Sequence, residues 1–274
     1  MGVSIAQWRN LIIDMDGVLW RGETALPGLG AFFKVLRESE RRIVLATNNS
    51  GRTVPQYVAK LERMGVQVAA DEILTSAQAT ASYLAGATPT GSRVSVIGGD
   101  GLRAALQEQS FVLSDENPAY VVVGFDFELN WAKLDSAVRN IRAGAVFIGT
   151  NADSTYPTEK GIGIGTGAIL AALQTATGET PIVIGKPEPP LYKQALQRLG
   201  ATAAETLVIG DRLETDILGA QRAAIASLLL LTGVTTRAAL AQSELQPDLV
   251  LPGLPEATSA MLSEPKTTPA AAAR

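Results

Sequence analysis

Asp14 and Asp16 stand two residues apart at the end of the apolar run Leu11-Ile12-Ile13, and Gly17 follows directly. Side chains two apart on a strand project to the same face, so the run predicts a buried strand whose C-terminal end presents both carboxylates together. Gly17 lets the chain turn there. Two adjacent like charges repel unless a cation or a shared proton relieves them. Other apolar runs also end in polar groups: Thr47-Asn48-Asn49-Ser50 after 42–46, Gly185-Lys186-Pro187 after 182–184, and Gly210-Asp211 after 207–209, with Asp216 five residues further on. In open α/β sheets, ligands bind outside the carboxyl ends of the strands. Four strand ends that bring acids, a hydroxyl, an amide and an ammonium to one edge describe a site for a divalent cation and a phosphate. Carboxylates hold Mg²⁺ through hard oxygens. Lys186 offers a point charge to phosphoryl oxygens, and Thr47 with nearby backbone N–H groups can donate to the rest.

Each residue also has a plainer role. An Asp after a strand often caps a helix or forms a turn. Asp216 can cap a helix starting near Ile217, Thr47 can bond its own backbone, and Asn49 and Ser50 can simply build a loop. Convergence on one edge is what favours a site over these separate explanations.

The elements that must position these groups follow from hydrophobic periodicity. Strand-like runs cover 11–13, 42–46, 93–97, 120–124, 145–148, 182–184, 207–209 and 226–231. Amphipathic stretches at 29–38, 55–64, 101–109, 134–143, 169–177 and 191–199 predict helices between several of them. This alternation argues for an α/β fold with parallel sheet. The Pro-, Thr- and Ala-rich tail, 264–274, is expected to be disordered.

Composition narrows the chemistry. The 274 residues are 46% hydrophobic and 18% charged, and the net charge of −4 arises from 23 basic and 27 acidic side chains. No basic surplus points to nucleic acid or to an anionic membrane surface. Cysteine and histidine are both absent. Disulfides, thiolate metal sites and cysteine nucleophiles are therefore excluded. Acid–base work falls to carboxylates, Lys or Tyr, and any metal must be held by oxygen. Neither a signal pattern nor an apolar run long enough to span a bilayer is present, so a cytoplasmic protein is expected.

Asp14-x-Asp16-Gly17, Thr47-Asn48, Lys186 and Gly210-Asp211-x₄-Asp216 resemble, in order, the four motifs of the haloacid-dehalogenase superfamily of phosphohydrolases. The long segment between the second and third motifs, with Val121-Val122-Val123-Gly124-Phe125-Asp126 inside it, is similar to the branch of NagD-like, nitrophenyl-phosphatase and phosphoglycolate-phosphatase-like enzymes. Phe127 departs from that pattern, since many relatives carry a basic residue before the Glu-Leu pair. The resemblance implies a Rossmann-like, doubly wound parallel-sheet core and a Mg²⁺-dependent phosphatase acting on a small phosphate monoester. Asp14 would be the nucleophile that forms an aspartyl phosphate. Asp16 would protonate the leaving oxygen and then activate water. Asp14, the backbone carbonyl of Asp16, and Asp211 would ligate the metal, with Asp216 in support. Thr47, Asn48, Asn49 and Lys186 would hold phosphate and substrate.

About 138 residues separate Asn48 from Lys186, far more than a sheet connection needs. An inserted α/β cap is expected over 81–180, between core segments 1–80 and 181–263. Such a cap can exclude water and read the leaving group, and a homodimer through cap surfaces is conceivable. Asn151, Asp153 and Glu159 are candidates for leaving-group contact in the cap. Residues 19–22 are expected to form a flap beside Asp14, with Trp20 packing against it. Gly163-x-Gly165-x-x-Ala168 fits a loose dinucleotide fingerprint, but 155–160 reads as a loop rather than the strand such a site requires. Phosphotransferase or phosphomutase chemistry is the nearest alternative. A phospho-aspartate signalling module is the alternative of a different class, and Asp16 argues against it because a lasting phospho-switch gains nothing from a second acid.

Overall fold

The computed structural model describes residues 5–158 and 161–263. The tail expected to be disordered, and Glu159, lie outside these described residues.

Asn10–Ile13 is buried at every position. Leu11 and Ile13 enter one apolar cluster with Phe32, Leu45 and Ile209, whereas Ile12 enters another with Val44, Val208 and Tyr192. A strand that feeds two cores on alternate residues has helices on both faces, which is the setting of parallel sheet. The first sheet accordingly has six strands in the order Leu249–Leu251, Ala226–Leu230, Thr206–Gly210, Asn10–Ile13, Arg42–Thr47, Ile73–Thr75. Every pairing in it is parallel. The fold is α/β with a Rossmann-like sheet, as the strand–helix alternation predicts.

A second parallel sheet runs Ile182–Val183, Val146–Gly149, Tyr120–Val123, Arg93–Ile97, Val112–Leu113. Its Val94, Val122 and Ile148 share a buried cluster with Val44 and Val208 of the first sheet, joined through Ala77, Ala81 and Leu84 on the helix Ser76–Ala85. Its other face packs Val121, Val123 and Phe147 against Ala137, Ile141, Leu170 and Leu173.

Two local expectations are corrected. Residues 182–184 were expected to serve the first sheet, yet Ile182–Val183 pairs with Val146–Gly149 of the second. Two residues of edge strand carry no pattern that tells one sheet from the other. Likewise, Thr155–Thr158, part of the expected loop, is a strand that pairs antiparallel with Gly161–Ile164. That strand meets a hairpin partner and not a βαβ unit, so the dinucleotide fingerprint still lacks its context. Gly165 and Gly167 serve packing. A Cβ on Gly165 would lie 2.1 Å from the Asp153 carbonyl oxygen, and one on Gly167 would lie 2.2 Å from that of Ala152. Among the described residues, no helix is long and apolar enough to cross a membrane.

Candidate active site

Asp14 leaves its strand while still paired, its N–H donating to the Ile209 carbonyl at 2.8 Å. Asp211 leaves the neighbouring strand Thr206–Gly210 at the same edge. Its carboxylate passes between two glycines: a Cβ on Gly17 would come within 2.5 Å of Oδ2, and one on Gly233 within 1.8 Å. Gly17 also adopts φ +87°, so the turn after Asp16 needs glycine for both reasons. Asp211 Oδ2 accepts from Val234 N–H at 2.7 Å.

Asp216 lies in a π-helical turn, Leu213–Ile217, that opens the helix Leu218–Arg222. Such turns are frequent where a side chain is re-aimed at a functional site. Asp216 Oδ2 accepts from the N–H groups of Asp211 and Arg212 at 3.2 and 3.1 Å. The residue therefore closes the Asp211 loop, and the helix that begins near Ile217 has no side-chain cap. Its Oδ1 accepts from Lys186 Nζ at 2.7 Å.

Lys186 reaches this edge from the loop after the second sheet's edge strand, three residues beyond Val183. Its ammonium is ion-paired to both Asp14 and Asp216 and also donates to the Ala46 carbonyl at 3.2 Å. Asp14, Asp211 and Asp216 each offer one carboxylate oxygen, and the three lie within 4.8 Å of one another. All four residues are buried; Asp211 and Asp216 are 1% exposed. Asp16 is exposed, and one of its oxygens accepts from the Trp20 indole N–H at 2.7 Å. Trp20 is buried, as a packing role predicts, but its polar contact with Asp16 was not foreseen.

The charges do not balance. Three buried carboxylates share one buried ammonium, so burial pushes the Asp14 carboxyl well up, against the pull of Lys186. Burial and the neighbouring Asp216 raise Asp211 to about 7. Burial opposes the Lys186 charge, but Asp14 and Asp216 outweigh it and hold the ammonium above its ordinary range. Without a bound cation, the folded state thus binds protons at Asp14 and Asp211 more tightly than the unfolded chain does. Stability from these groups is complete below the ordinary carboxylate range and falls as pH rises through about 7. In chelator, the wild-type melting temperature is expected to fall between pH 5 and pH 8 more steeply than that of Asp211→Asn. Added Mg²⁺ is expected to raise it more at pH 8 than at pH 5. Calorimetry showing parallel pH profiles for the two proteins would refute this account.

The remaining predicted residues divide by what their polar atoms do. Thr47 is buried and its Oγ1 accepts from Asn49 N–H at 3.1 Å, which leaves its own proton to donate. Asn48 spends its amide on Lys186: Oδ1 accepts from the Lys186 N–H at 2.7 Å, and Nδ2 donates to the Lys186 carbonyl at 2.8 Å and toward Asp153 at 3.2 Å. Asn49 Oδ1 accepts from Gly51 N–H at 2.9 Å within its own loop. Asn151, 4% exposed, donates to the Asn48 carbonyl at 2.8 Å and accepts from Asp153 N–H at 3.1 Å. Asn48 and Asn151 thus bind the loops to one another. Asp153 is nearly buried, which raises its carboxyl against the pull of Arg212.

A cavity of about 560 Å³ lies over these groups, walled on the far side by Arg103, Phe125, Phe127, Lys133 and Tyr156. Phe125 meets Phe127 and Tyr156 edge to face, with centroids at 4.6 and 4.7 Å. Phe127, 84% exposed, stands where the resembling pattern has a basic residue. The aromatic wall was missed from sequence because Tyr156 lies far along the chain from the Phe125/Phe127 pair, and no local pattern joins them.

Residues 11–112 match a family described as haloacid dehalogenase-like hydrolase, and 183–257 match one described as HAD-hydrolase-like. An acid sugar phosphatase of Staphylococcus saprophyticus is 36% identical over 250 residues, 91% of this chain and 96% of its own. The chain belongs to the haloacid dehalogenase-like hydrolases. Among solved members, a 4-nitrophenylphosphatase from Thermotoga maritima superposes with TM-score 0.90 at 34% identity, covering 93% of this chain and 98% of that one. A glycerol phosphate phosphatase from Mycobacterium tuberculosis in complex with magnesium gives TM-score 0.85 at 34% identity, covering 93% of this chain and 78% of that one.

Proposed function

We propose that this haloacid dehalogenase-like hydrolase is a Mg²⁺-dependent phosphatase that hydrolyses a small phosphate monoester through an aspartyl phosphate on Asp14. The observation that carries the reading is the buried set of Asp14, Asp211 and Asp216 around the Lys186 ammonium, at the floor of a cavity large enough for a small molecule. The names of the relatives agree with it, and those of the acid sugar and glycerol phosphate phosphatases favour a leaving group rich in hydroxyls.

The residues fit a hard divalent cation. The donors are all oxygen, their combined charge exceeds that of the one ammonium, and burial makes the surplus costly. Asp14, Asp211 and the Asp16 backbone carbonyl would hold the ion, with Asp216 fixing the Asp211 loop. When bound, Mg²⁺ neutralises the surplus carboxylate charge and polarises the phosphoryl oxygens.

The chain's own groups do the rest. Lys186, held in place by Asp14, Asp216 and Ala46, offers its ammonium to the incoming phosphoryl oxygens. Thr47 donates its hydroxyl proton to another. An Asp14 oxygen attacks phosphorus, the bond to the leaving oxygen breaks, and Asp16 supplies the proton that makes the leaving group an alcohol. Water then attacks the aspartyl phosphate, returns a proton to Asp16 and frees phosphate. The exposed position of Asp16 suits a group that must meet both leaving oxygen and water. The second sheet, from Arg93–Ile97 to the edge strand Ile182–Val183, acts with its loops as the cap, and Asp153 joins it to the phosphate loop through Asn48. The partner in this reading is a small molecule met in the cytoplasm.

Phosphate release from a panel of sugar, polyol and nucleoside monophosphates tests the reading directly. Turnover is expected with Mg²⁺ and is expected to vanish in chelator. A folded, metal-loaded protein that releases no phosphate from any monoester would move the assignment to phosphotransfer or signalling.

A further inference from the structure

Trp20 is fully buried, so apolar packing alone could account for the ring but not for its N–H, which must find an acceptor. The acceptor is Asp16 Oδ1, at 2.7 Å. The contact is built into the turn: Gly17 N–H donates to the Trp20 carbonyl at 2.8 Å, and Leu19 N–H to the Met15 carbonyl at 2.8 Å. The indole is fixed from outside the turn as well. Tyr57 stacks on it with centroids 6.3 Å apart and planes 21° apart. The ammonium of Lys60 sits 4.4 Å from the ring centroid. Lys60 is itself 3% exposed and anchored by donation to the Gly22 carbonyl at 2.7 Å. A desolvated ammonium over an indole is strongly attracted to the ring and draws electron density from it, which strengthens the N–H as a donor. One buried indole therefore holds one oxygen of an otherwise exposed carboxyl group, and two further buried side chains hold the indole.

That convergence selects between the two oxygens. In a protonated carboxyl the carbonyl oxygen is the better acceptor, so an indole N–H on Oδ1 leaves Oδ2 to carry the hydroxyl. We propose that Trp20 is a positioning residue for proton transfer: its indole N–H, braced by Lys60 and Tyr57, holds Asp16 so that Oδ2 faces the leaving oxygen. The inference rests on the phosphatase reading above, with Asp16 as general acid. In the first step the Asp14 oxygen bonds to phosphorus, the phosphorus–leaving-oxygen bond breaks, and the Oδ2 proton moves to the leaving oxygen. In the second, water bonds to phosphorus, its proton returns to Oδ2, and the Asp14–phosphorus bond breaks.

A positioning role and a packing role differ in their dependence on the leaving group. Nitrophenolate departs without a proton, whereas an alkoxide needs one. Trp20→Phe keeps a buried ring and removes the donor. Its kcat/KM, which reports the phosphorylation step, is expected to fall about tenfold or more for glycerol 3-phosphate and less than about twofold for 4-nitrophenyl phosphate, a fraction of what a general acid contributes. Asp16→Asn, measured beside it, should show the same split more strongly. If Asp16→Asn shows no split, the general-acid reading fails. If Asp16→Asn splits the substrates and Trp20→Phe loses equally on both, or on neither, the positioning role is overturned. Lys60→Met keeps the N–H but unbraces the ring, and a smaller split in the same direction is expected. Should Trp20→Phe not fold, the absence of any split in Lys60→Met overturns the proposal.

Discussion

Asp14→Asn is expected to remove Mg²⁺-dependent phosphate release, lowering kcat by about 10³-fold or more, equivalent to about 4 kcal/mol of barrier. The amide lacks the nucleophilic oxygen and is a poor ligand for a hard cation, so covalent step and metal site are lost together. The fold should survive. Lys186 keeps its ion pair with Asp216 and its bond to the Ala46 carbonyl, and the asparagine oxygen can still accept from the ammonium. The substitution also removes a carboxyl that burial and the charges of Asp216 and Asp211 push up, so the variant without metal should melt no lower than wild type at pH 8. Acid quench of wild type during turnover should trap phosphate on the protein, and the variant should trap none. A variant that still turns over with Mg²⁺ would remove Asp14 from the role of nucleophile.

The acids were legible because they need little context. Asp14 and Asp211 each follow an apolar run that can only be a buried parallel strand, and parallel strands bring their carboxyl ends to one edge. Lys186 was legible for its place at that edge but not for its route there. Ile182–Val183 offers two apolar residues of edge strand, and only the pairing with Val146–Gly149 decides which sheet they join. The amides of Asn48 and Asn151 read as ligands from sequence. Both line the cavity, and folding also turns Asn48 onto the backbone of Lys186, 138 residues away, a contact that no local pattern announces. Trp20 is only four residues from Asp16, yet their contact depends on the tight turn that Gly17 permits at φ +87°. The pairing of Thr155–Thr158 with Gly161–Ile164 was hidden for a different reason: a proline and alternating glycines lower strand propensity, and pairing overrides it.

Lys186→Ala separates two demands on one ammonium. As a structural cation, Lys186 holds Asp14 and Asp216 together, and removing one partner of a buried ion pair costs about 3–5 kcal/mol when the other stays charged. Here the stranded carboxylates have two ways to escape that cost, protonation and a bound divalent cation. Without the ammonium, the groups that Lys186 now pulls down rise further, so the loss of stability grows as pH climbs through the range in which they ionise. The variant is therefore expected to melt well below wild type at pH 8 in chelator, to approach it at pH 5, and to recover at pH 8 when Mg²⁺ is added. As a phosphate ligand, however, Lys186 has a distinct task. With the variant folded and saturated with Mg²⁺, kcat/KM is expected to remain lower by about 10³-fold, since the positive charge that Asp14, Asp216 and the Ala46 carbonyl hold beside the nucleophile is gone. Recovery of stability without recovery of rate is the signature of both roles in one side chain. If Mg²⁺ restored the rate as well, Lys186 would be a charge balance for the carboxylates and no part of the phosphate site.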